Sequence, residues 1–328
     1  MRFSEHWLRS FCNPALTTQE LAHALTMAGL EVEEVLPAAP PFEGVVIGEV
    51  VAVEPHPNAE KLKICAVDVG GAEKLNIVCG APNAQAGIKV PCATVGAQLP
   101  GIKIKKAKLR GVESQGMLCS AAELGTSEDH SGLMILDPES TVGEDVRQAL
   151  NLEDNLFALT LTANRGDCLS LLGIARELAA ITGSELCFGP VAPVDSVLPD
   201  KMDVTLSAPE ACPRYTGLII RGVDPTARTP DYIVRRLERS GVRSISAIVD
   251  LTNYVMLELG QPMHAFDFDK LEGGIVVRTA GNGEKLKLLD GSEVELSDDT
   301  LVVADQKKAV AMAGIMGGDH TAVSDATN

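Results

Sequence analysis

Residues 44–125 place the strongest constraint on what this chain can fold into. They consist of short runs rich in Val and Ile, separated by Gly, Pro and Asn, a pattern typical of a small closed β-barrel. This stretch contains nine Lys and Arg against seven Asp and Glu, whereas the rest of the chain contains 19 against 38. A basic barrel within an acidic chain predicts that the barrel binds a polyanion.

The remaining surface limits what kind of polyanion binding is possible. A net charge of −17 repels phosphate, so general affinity for nucleic acid is excluded and any contact must be a local patch. Residues 44–125 contain no Phe, Tyr or Trp, so base stacking of the kind used by many single-strand binders is absent. We therefore expect contacts with phosphate and sugar that weaken as salt rises.

The candidate contact residues lie in one basic segment of the barrel. A bulge or turn at Lys105-Lys106 would place five cations on one outer edge, namely Lys103, Lys105, Lys106, Lys108 and Arg110. The alternative is a solvated strand edge that lysines keep soluble and unpaired. The residues alone leave both interpretations open.

Length and cysteine usage indicate a soluble protein of several domains. A chain of 328 residues is long enough for two or three domains. No apolar run approaches the ~20 residues needed to cross a bilayer, and charges interrupt the N-terminal apolar residues. The eight cysteines form no Cys-x-x-Cys pair and have mostly apolar neighbours. We expect buried reduced thiols, no metal site and a cytoplasmic location.

Helices on either side of the barrel are expected to pack together. Thr17 with Glu20 fits a capping box for a helix over 18–28, and a second amphipathic helix is predicted over 169–182. The first helix has no partner before the Pro-rich linker at 37–41, so the barrel would be an insertion in a discontinuous domain. A short helix is expected over 144–150.

A third domain is expected after the prolines at 190–199. Helices are predicted from Thr229-Pro230 to Arg239 and over 246–259, and Asp290-Gly291 signals a hairpin turn. Strands are predicted where the sequence reads MDVTLS, YTGLIIRGV, GGIVVRTA, EKLKLLDG, DTLVVAD and KAVAMAG. This mixture without a Rossmann glycine pattern is typical of an α/β or α+β domain, and it looks cut short after its Gly-rich loop.

Few polar residues of the third domain stand out chemically. His264 is either a packed, hydrogen-bonded residue or part of a functional pocket. Thr252 and Asn253 either give a helix ordinary polarity or face a cleft. The loop that contains Gly317 and Gly318 lacks the trailing Lys and Ser or Thr of a phosphate-binding loop, so a tight turn with close backbone approach is the better interpretation. The residues alone indicate no more than a polar pocket.

These motifs together resemble a known family. The segments FSEHWLRSFCNP, VVAVEPHPNAEKLKICAVDVG, AKLRGVESQGMLCSAAELG, TANRGDCLSLLGIARELAA and IVDLTNYVMLELGQPMHAFD resemble the N-terminal part of the β subunit of bacterial phenylalanine–tRNA ligase. The barrel motif on its own also occurs in free-standing tRNA-binding proteins. The resemblance runs essentially from end to end.

The resemblance implies an α+β multidomain fold. Residues 1–41 with 151–195 would form a small α/β domain, and residues 42–150 would form an inserted tRNA-binding OB-fold barrel. Residues 200–328 would form a mixed α/β editing domain, truncated at its C-terminal side. The module that activates phenylalanine lies on the α subunit in this family. An α2β2 assembly that binds tRNA(Phe) is therefore implied, with ATP and Mg²⁺ needed by the complete enzyme and no cofactor held by these residues.

The resemblance also implies roles for individual residues. The editing domain hydrolyses tyrosine wrongly attached to tRNA(Phe). His264 would position the terminal adenosine or the attacking water, Thr252 and Asn253 would orient the aminoacyl ester, and the Gly317-Gly318 turn would form the floor. A glutamate that senses the tyrosine hydroxyl is expected beyond Asn328. The residues present are not expected to aminoacylate by themselves, and the alternative is a non-catalytic fragment that binds tRNA or supports other subunits.

Overall fold

The computed structural model describes residues 1–128 and 130–328. The helices are α1 (Glu5–Arg9), α2 (Thr18–Met27), α3 (Val146–Ala149), α4 (Leu171–Thr182), α5 (Asp231–Arg239) and α6 (Ala247–Leu259). The strands are β1 (Arg2–Ser4), β2 (Glu31–Pro37), β3 (Glu43–Pro55), β4 (Lys63–Asp68), β5 (Leu75–Cys79), β6 (Lys89–Leu99), β7 (Ile102–Lys103), β8 (Ala107–Leu109), β9 (Val112–Ser114), β10 (Gly116–Leu118), β11 (Asn155–Thr160), β12 (Val204–Leu206), β13 (Ile275–Thr279), β14 (Lys285–Lys287), β15 (Glu293–Glu295), β16 (Leu301–Ala304), β17 (Ala309–Met312) and β18 (Met316–Gly317).

The first sheet joins strands from both sides of the barrel segment. Its order is β1-β11-β2, and all pairs are antiparallel. Phe3 lies opposite Phe157, and their rings stack with centroids 5.6 Å apart. The apolar faces of α1, α2 and α4 pack in the same core. Thr17 and Glu20 form the predicted capping box at the start of α2. The domain boundaries themselves remain predictions.

The second sheet is strongly curled. Its order is β10-β6-β3-β4-β5, with β7 added to β6. The curl brings its two ends together, because Gln115 N–H donates to the Asn76 carbonyl oxygen at 2.8 Å and Val78 N–H donates to Ser114 Oγ at 3.0 Å. Register shifts in β3 accompany the bend, and Gly48 fits where a Cβ would lie 2.8 Å from Val67 Cγ1. This sheet is a half-barrel.

The third sheet has the order β12-β13-β16-β17-β18, in which β12 and β13 are parallel and the other pairs are antiparallel. The separate hairpin of β14 and β15 turns at Asp290-Gly291, as predicted, and Gly291 adopts φ +85°. Helix α6 ends, as expected, at Gly260 in the left-handed conformation. The result is a mixed α+β protein.

Helices α5 and α6 lie against the first sheet and its helices. Arg239 donates to Asp154 Oδ2 at 2.8 Å and to the carbonyl oxygens of Leu150 and Asn151. The Asp154 side chain is fully buried and also accepts from Ser4 Oγ. Such a buried carboxylate needs its cationic partner, since removal of one partner leaves an uncompensated charge.

An aromatic contact continues the same interface. Trp7 stacks on Tyr254 of α6 with centroids 5.1 Å apart, and its ring N–H donates to Glu258 at 3.2 Å. The Arg236 guanidinium lies 5.0 Å from the Trp7 ring centroid. Apolar stacking therefore joins α1 to α6, and a cation–π contact joins α1 to α5.

Two expectations were wrong. The segment 215–223 was predicted as a strand, but the structure leaves it outside the sheets, with Leu218 and Ile220 exposed. Cys187 was expected to be buried but is exposed, and Cys212 is half-buried. The other six cysteines are buried, as predicted, and burial raises the pKa of Cys92 to about 12. Among the described residues, no helix is both long and apolar enough to cross a membrane.

Candidate nucleic-acid interface and histidine site

The five predicted cations lie together on one segment of the half-barrel. We call them the basic rim, and all five are exposed: Lys103, Lys105, Lys106, Lys108 and Arg110. Lys103 ends β7, and Lys108 lies in β8. The expected break in strand alternation at Lys105-Lys106 is confirmed, because these residues lie between the two strands and belong to neither.

One buried side chain fixes where the break occurs. Ile104 is 6% exposed and packs in the core that the half-barrel shares with α3. Its N–H donates to the Ala97 carbonyl oxygen at 2.8 Å, and its own carbonyl oxygen accepts from Gly96 N–H at 2.9 Å. The residues that follow Ile104 are therefore free to leave the sheet and carry the lysines into solvent.

Only part of the rim's charge is neutralised within the protein. Lys106 Nζ lies 2.7 Å from Glu113 Oε1, and both side chains are about half exposed. In residues 1–128 and 130–328, no other rim cation forms an ion pair within 4.0 Å. Within this described part of the chain, the rim therefore presents four positive charges without an ion pair, on a chain whose net charge is −17. Exposed cations without carboxylate partners are suited to phosphate.

Sequence reasoning missed two residues that contact the backbone beside Arg110. His56 and Asn58 lie in the loop that follows β3, about 50 residues earlier, and both make hydrogen bonds to the turn between β8 and β9. The available signal was the sequence His56-Pro57-Asn58 directly after a strand, which is typical of a turn whose polar side chains bond nearby backbone.

His264 lies on an accessible surface, in the loop that follows α6. Its ring makes an edge contact with Phe266, with centroids 4.5 Å apart and planes at 73°. The side chain is exposed, although its neighbours cover part of the ring. This partial desolvation lowers the pKa of His264 below its ordinary value. At neutral pH the ring is therefore uncharged and can accept a proton.

The backbone of Gly317 lies close to that ring. A Cβ at Gly317 would lie 2.3 Å from His264 Cε1 and 2.7 Å from Nε2, so any larger residue would displace the ring. The expected close approach of backbone is thus present. The tight turn predicted for this Gly-rich loop is centred on Gly314, which has φ +71°, and Gly317 lies in β18 directly after it. Gly318 continues the ladder by donating to the Val310 carbonyl oxygen at 2.8 Å.

Thr252 and Asn253 lie in α6, and both are half-buried. Thr252 Oγ1 donates to the Val249 carbonyl oxygen of its own helix at 2.8 Å. The contacts described for His264 are instead with Phe266 and Gly317. The structure thus joins His264 with Gly317, and the expected roles of Thr252 and Asn253 stay predictions.

A separate cluster of metal-binding side-chain types surrounds an arginine. Ligand atoms of Asp167, Cys168 and Glu177 all lie within 4.8 Å of one another. The Arg165 guanidinium lies among them, 3.0 Å from Glu177 Oε2 and 2.9 Å from Cys168 Sγ. Arg165 therefore already supplies the positive charge that the two carboxylates require.

Comparison with known proteins gives these features a family context. A model described as a putative tRNA binding domain matches residues 45–145, which include the basic rim. A model described as a B3/4 domain matches residues 211–328, which include His264 and Gly317. The phenylalanine–tRNA ligase beta subunit of Aromatoleum aromaticum is 58% identical over 324 residues, covering 99% of this chain and 41% of the relative.

The chain matches phenylalanine–tRNA ligase beta subunits along its whole length. The beta subunit of Thiobacillus denitrificans is also 58% identical, over 100% of this chain and 42% of the relative. The resemblance drawn from the sequence motifs is therefore confirmed. The chain spans about two fifths of the length of these curated relatives.

Two solved structures are also similar. The MetRS related protein from Pyrococcus horikoshii is 29% identical, covers 30% of this chain and 85% of its own, and gives a TM-score of 0.24. An N-terminal fragment of the phenylalanyl-tRNA synthetase beta subunit from Pyrococcus horikoshii is 12% identical. It covers 100% of this chain and 65% of its own, with a TM-score of 0.33. These scores are too low to bear on the fold.

Proposed function

We propose that this chain supplies tRNA binding and hydrolytic editing to a phenylalanine–tRNA ligase. The observation that carries the proposal is the basic rim, with four exposed cations unpaired among the described residues, within a segment that matches a tRNA-binding domain. The half-barrel would act as an OB-fold whose rim contacts phosphate. Since residues 44–125 lack aromatic side chains, these contacts fix the position of the tRNA and do not read its bases.

The editing reaction is assigned to the surface around His264. A hydrophobic phenylalanine pocket rejects an analogue that only adds a hydroxyl by a factor of about 100, so a second, hydrolytic site is needed for tyrosine. Neutral His264 would hold or deprotonate the water that attacks the ester carbonyl carbon; the bond from that carbon to the ribose oxygen breaks, and the ribose oxygen takes the proton. Gly317 leaves room for the ring, while Thr252 and Asn253 orient the ester.

The complete enzyme would include further parts. The beta subunit would assemble with an alpha subunit into an α2β2 heterotetramer that binds tRNA(Phe) in the cytoplasm. ATP and Mg²⁺ would serve aminoacylation on the alpha subunit. The residues described here are therefore assigned to binding and proofreading.

A deacylation assay on tyrosyl-tRNA(Phe) tests the editing proposal. The full beta subunit with its alpha subunit should release tyrosine, and His264→Ala should lose that activity while phenylalanine attachment continues. His23→Ala, which changes an exposed histidine of α2, is the matched control. Equal deacylation by the His264→Ala and control enzymes would overturn the assignment.

A binding role without hydrolysis is the second candidate. The observation that favours it is the hydroxyl of Thr252, whose described hydrogen bond is to its own helix and not to the His264 site. In that case, the rim would still bind tRNA, but the assembled enzyme would leave tyrosyl-tRNA(Phe) intact. The same deacylation assay, combined with a tRNA-binding measurement, distinguishes the two functions.

A further inference from the structure

The turn of the rim hairpin has an unusual backbone. Strands β8 and β9 are joined by Arg110 and Gly111, which adopt φ +49° and φ +97°. A two-residue hairpin turn with both φ values positive normally contains Asn, Asp or Gly, because other side chains crowd the backbone in this region. An arginine at this position is strained, and its exposed side chain forms the tip of the hairpin.

Two side chains of the loop after β3 hold this strained turn. His56 is 5% exposed, and its Nε2 lies 3.1 Å from the Leu109 carbonyl oxygen. Asn58 Nδ2 donates to the Arg110 carbonyl oxygen at 3.1 Å. We call His56 and Asn58 the clasp. Both bonds are to backbone atoms, so the clasp fixes the path of the turn and leaves the Arg110 side chain free for an external partner.

The clasp is itself internally ordered. The backbone N–H of Asn58 donates to His56 Nδ1 at 3.0 Å. Because Nδ1 accepts this bond, the proton of the neutral ring is on Nε2, which then donates to the Leu109 carbonyl oxygen. One histidine thus links the loop after β3 to the hairpin through both ring nitrogens.

The other arm of the hairpin is held from β5. Asn76 Nδ2 donates to the Glu113 carbonyl oxygen at 2.9 Å, and Ser114 Oγ accepts from Val78 N–H. The backbone is therefore fixed on both sides of the turn, although β8 and β9 contain only three residues each. A two-stranded hairpin of this length is not stable alone in water, so these bonds define its position.

We propose that His56 and Asn58 are positioning residues for RNA binding, acting through Arg110 at the tip of the basic rim. This inference rests on the proposed binding of tRNA by that rim. A hairpin fixed before binding does not lose conformational freedom when phosphate docks, whereas a loose hairpin must be ordered at that step. The clasp therefore raises affinity without touching the RNA.

The test measures tRNA affinity of the full beta subunit with its alpha subunit for His56→Phe, Arg110→Ala and the double variant. His56→Phe removes both ring nitrogens but retains an apolar ring. We expect His56→Phe to weaken binding by about three- to tenfold, the effect of one or two side chains that must be ordered on binding. That loss should disappear in the Arg110→Ala background. Asn58→Ala provides a second variant if His56→Phe fails to fold, and His23→Phe is the matched control.

Amide hydrogen exchange supplies an independent readout. Residues 107–113 should exchange faster in His56→Phe, whereas the paired amides of β3 and β4 should be unchanged. Full affinity in both clasp variants would overturn the inference, and so would an equal loss with and without Arg110. If Arg110→Ala and charge reversal of the rim lysines all leave tRNA binding intact, the proposed contact between the rim and tRNA is itself wrong.

Discussion

Reversal of charge at Lys105 tests whether the basic rim contacts phosphate. Lys105 has no ion pair among the described residues, whereas Lys106 lies 2.7 Å from Glu113. Lys105→Glu should therefore weaken tRNA binding more than Lys106→Glu does, because the Lys106 charge is already partly neutralised. Glu113→Gln should strengthen binding, since it releases Lys106 for phosphate.

The expected magnitude follows from the count of unpaired rim cations. If each of the four contacts one phosphate, the logarithm of affinity should fall with the logarithm of salt concentration with a slope of about −3 to −4. Affinity would then drop about 100-fold between about 50 and 200 mM salt. Lys105→Glu should reduce the slope by about 1, so that the drop becomes about 30-fold. Glu113→Gln should make the slope steeper by a similar amount.

The assay is a titration of labelled tRNA(Phe) at several salt concentrations, with Lys201→Glu as the control. Lys201 is exposed in the segment before β12, outside the rim, so its reversal changes net charge equally. Equal slopes for wild type, Lys105→Glu and Lys201→Glu would refute the reasoning. The lysines would then serve to keep an exposed strand edge soluble.

Three further predictions concern residues that follow α6. Gly317→Ala should abolish deacylation, because its Cβ would lie 2.3 Å from His264 Cε1; full activity, as in the control Gly189→Ala, would contradict that close approach. Since partial desolvation lowers the pKa of His264, deacylation should fall in acid with a midpoint below about pH 6.5, the ordinary value for histidine; a midpoint above 6.5 would contradict the desolvation argument. Glu284 accepts two hydrogen bonds from Arg278, which lower its pKa from 4.5 to about 2. Glu284→Gln should therefore reduce the free energy of unfolding in urea by up to about 3 kcal/mol at pH 7, and this difference should shrink as the pH falls from 4.5 towards 2; an equal difference at pH 7 and at about 3 would contradict the pairing.

Features set by neighbouring residues were predictable from the sequence. The capping box of Thr17 and Glu20, the hairpin turn at Asp290-Gly291 and the end of α6 at Gly260 are confirmed. In each case the interacting atoms lie within four residues, so the sequence contains both partners of the interaction.

Features that depend on distant residues were missed or wrong. The segment 215–223 alternates like a strand, yet strand formation also requires a sheet edge to accept its hydrogen bonds, and no pattern within the segment supplies one. The clasp could not be found from local patterns, because His56 and Leu109 are 53 residues apart. Only the family resemblance, and no local pattern, placed Gly317 beside His264, because their contact depends on how β18 lies against the loop after α6.

The pairing of β1 with β11 affects how the protein folds during its synthesis. Phe3 meets Phe157 only after more than 150 residues have been made, a delay of about 8 to 30 s at ordinary translation rates. Until then, the apolar surfaces of α1 and α2 lack their permanent neighbours. The half-barrel, whose strands all lie between residues 43 and 118, is complete in sequence before that sheet can form. We therefore expect ribosome-bound chains that stop near residue 150 to expose the apolar surface that β11 and α4 later cover.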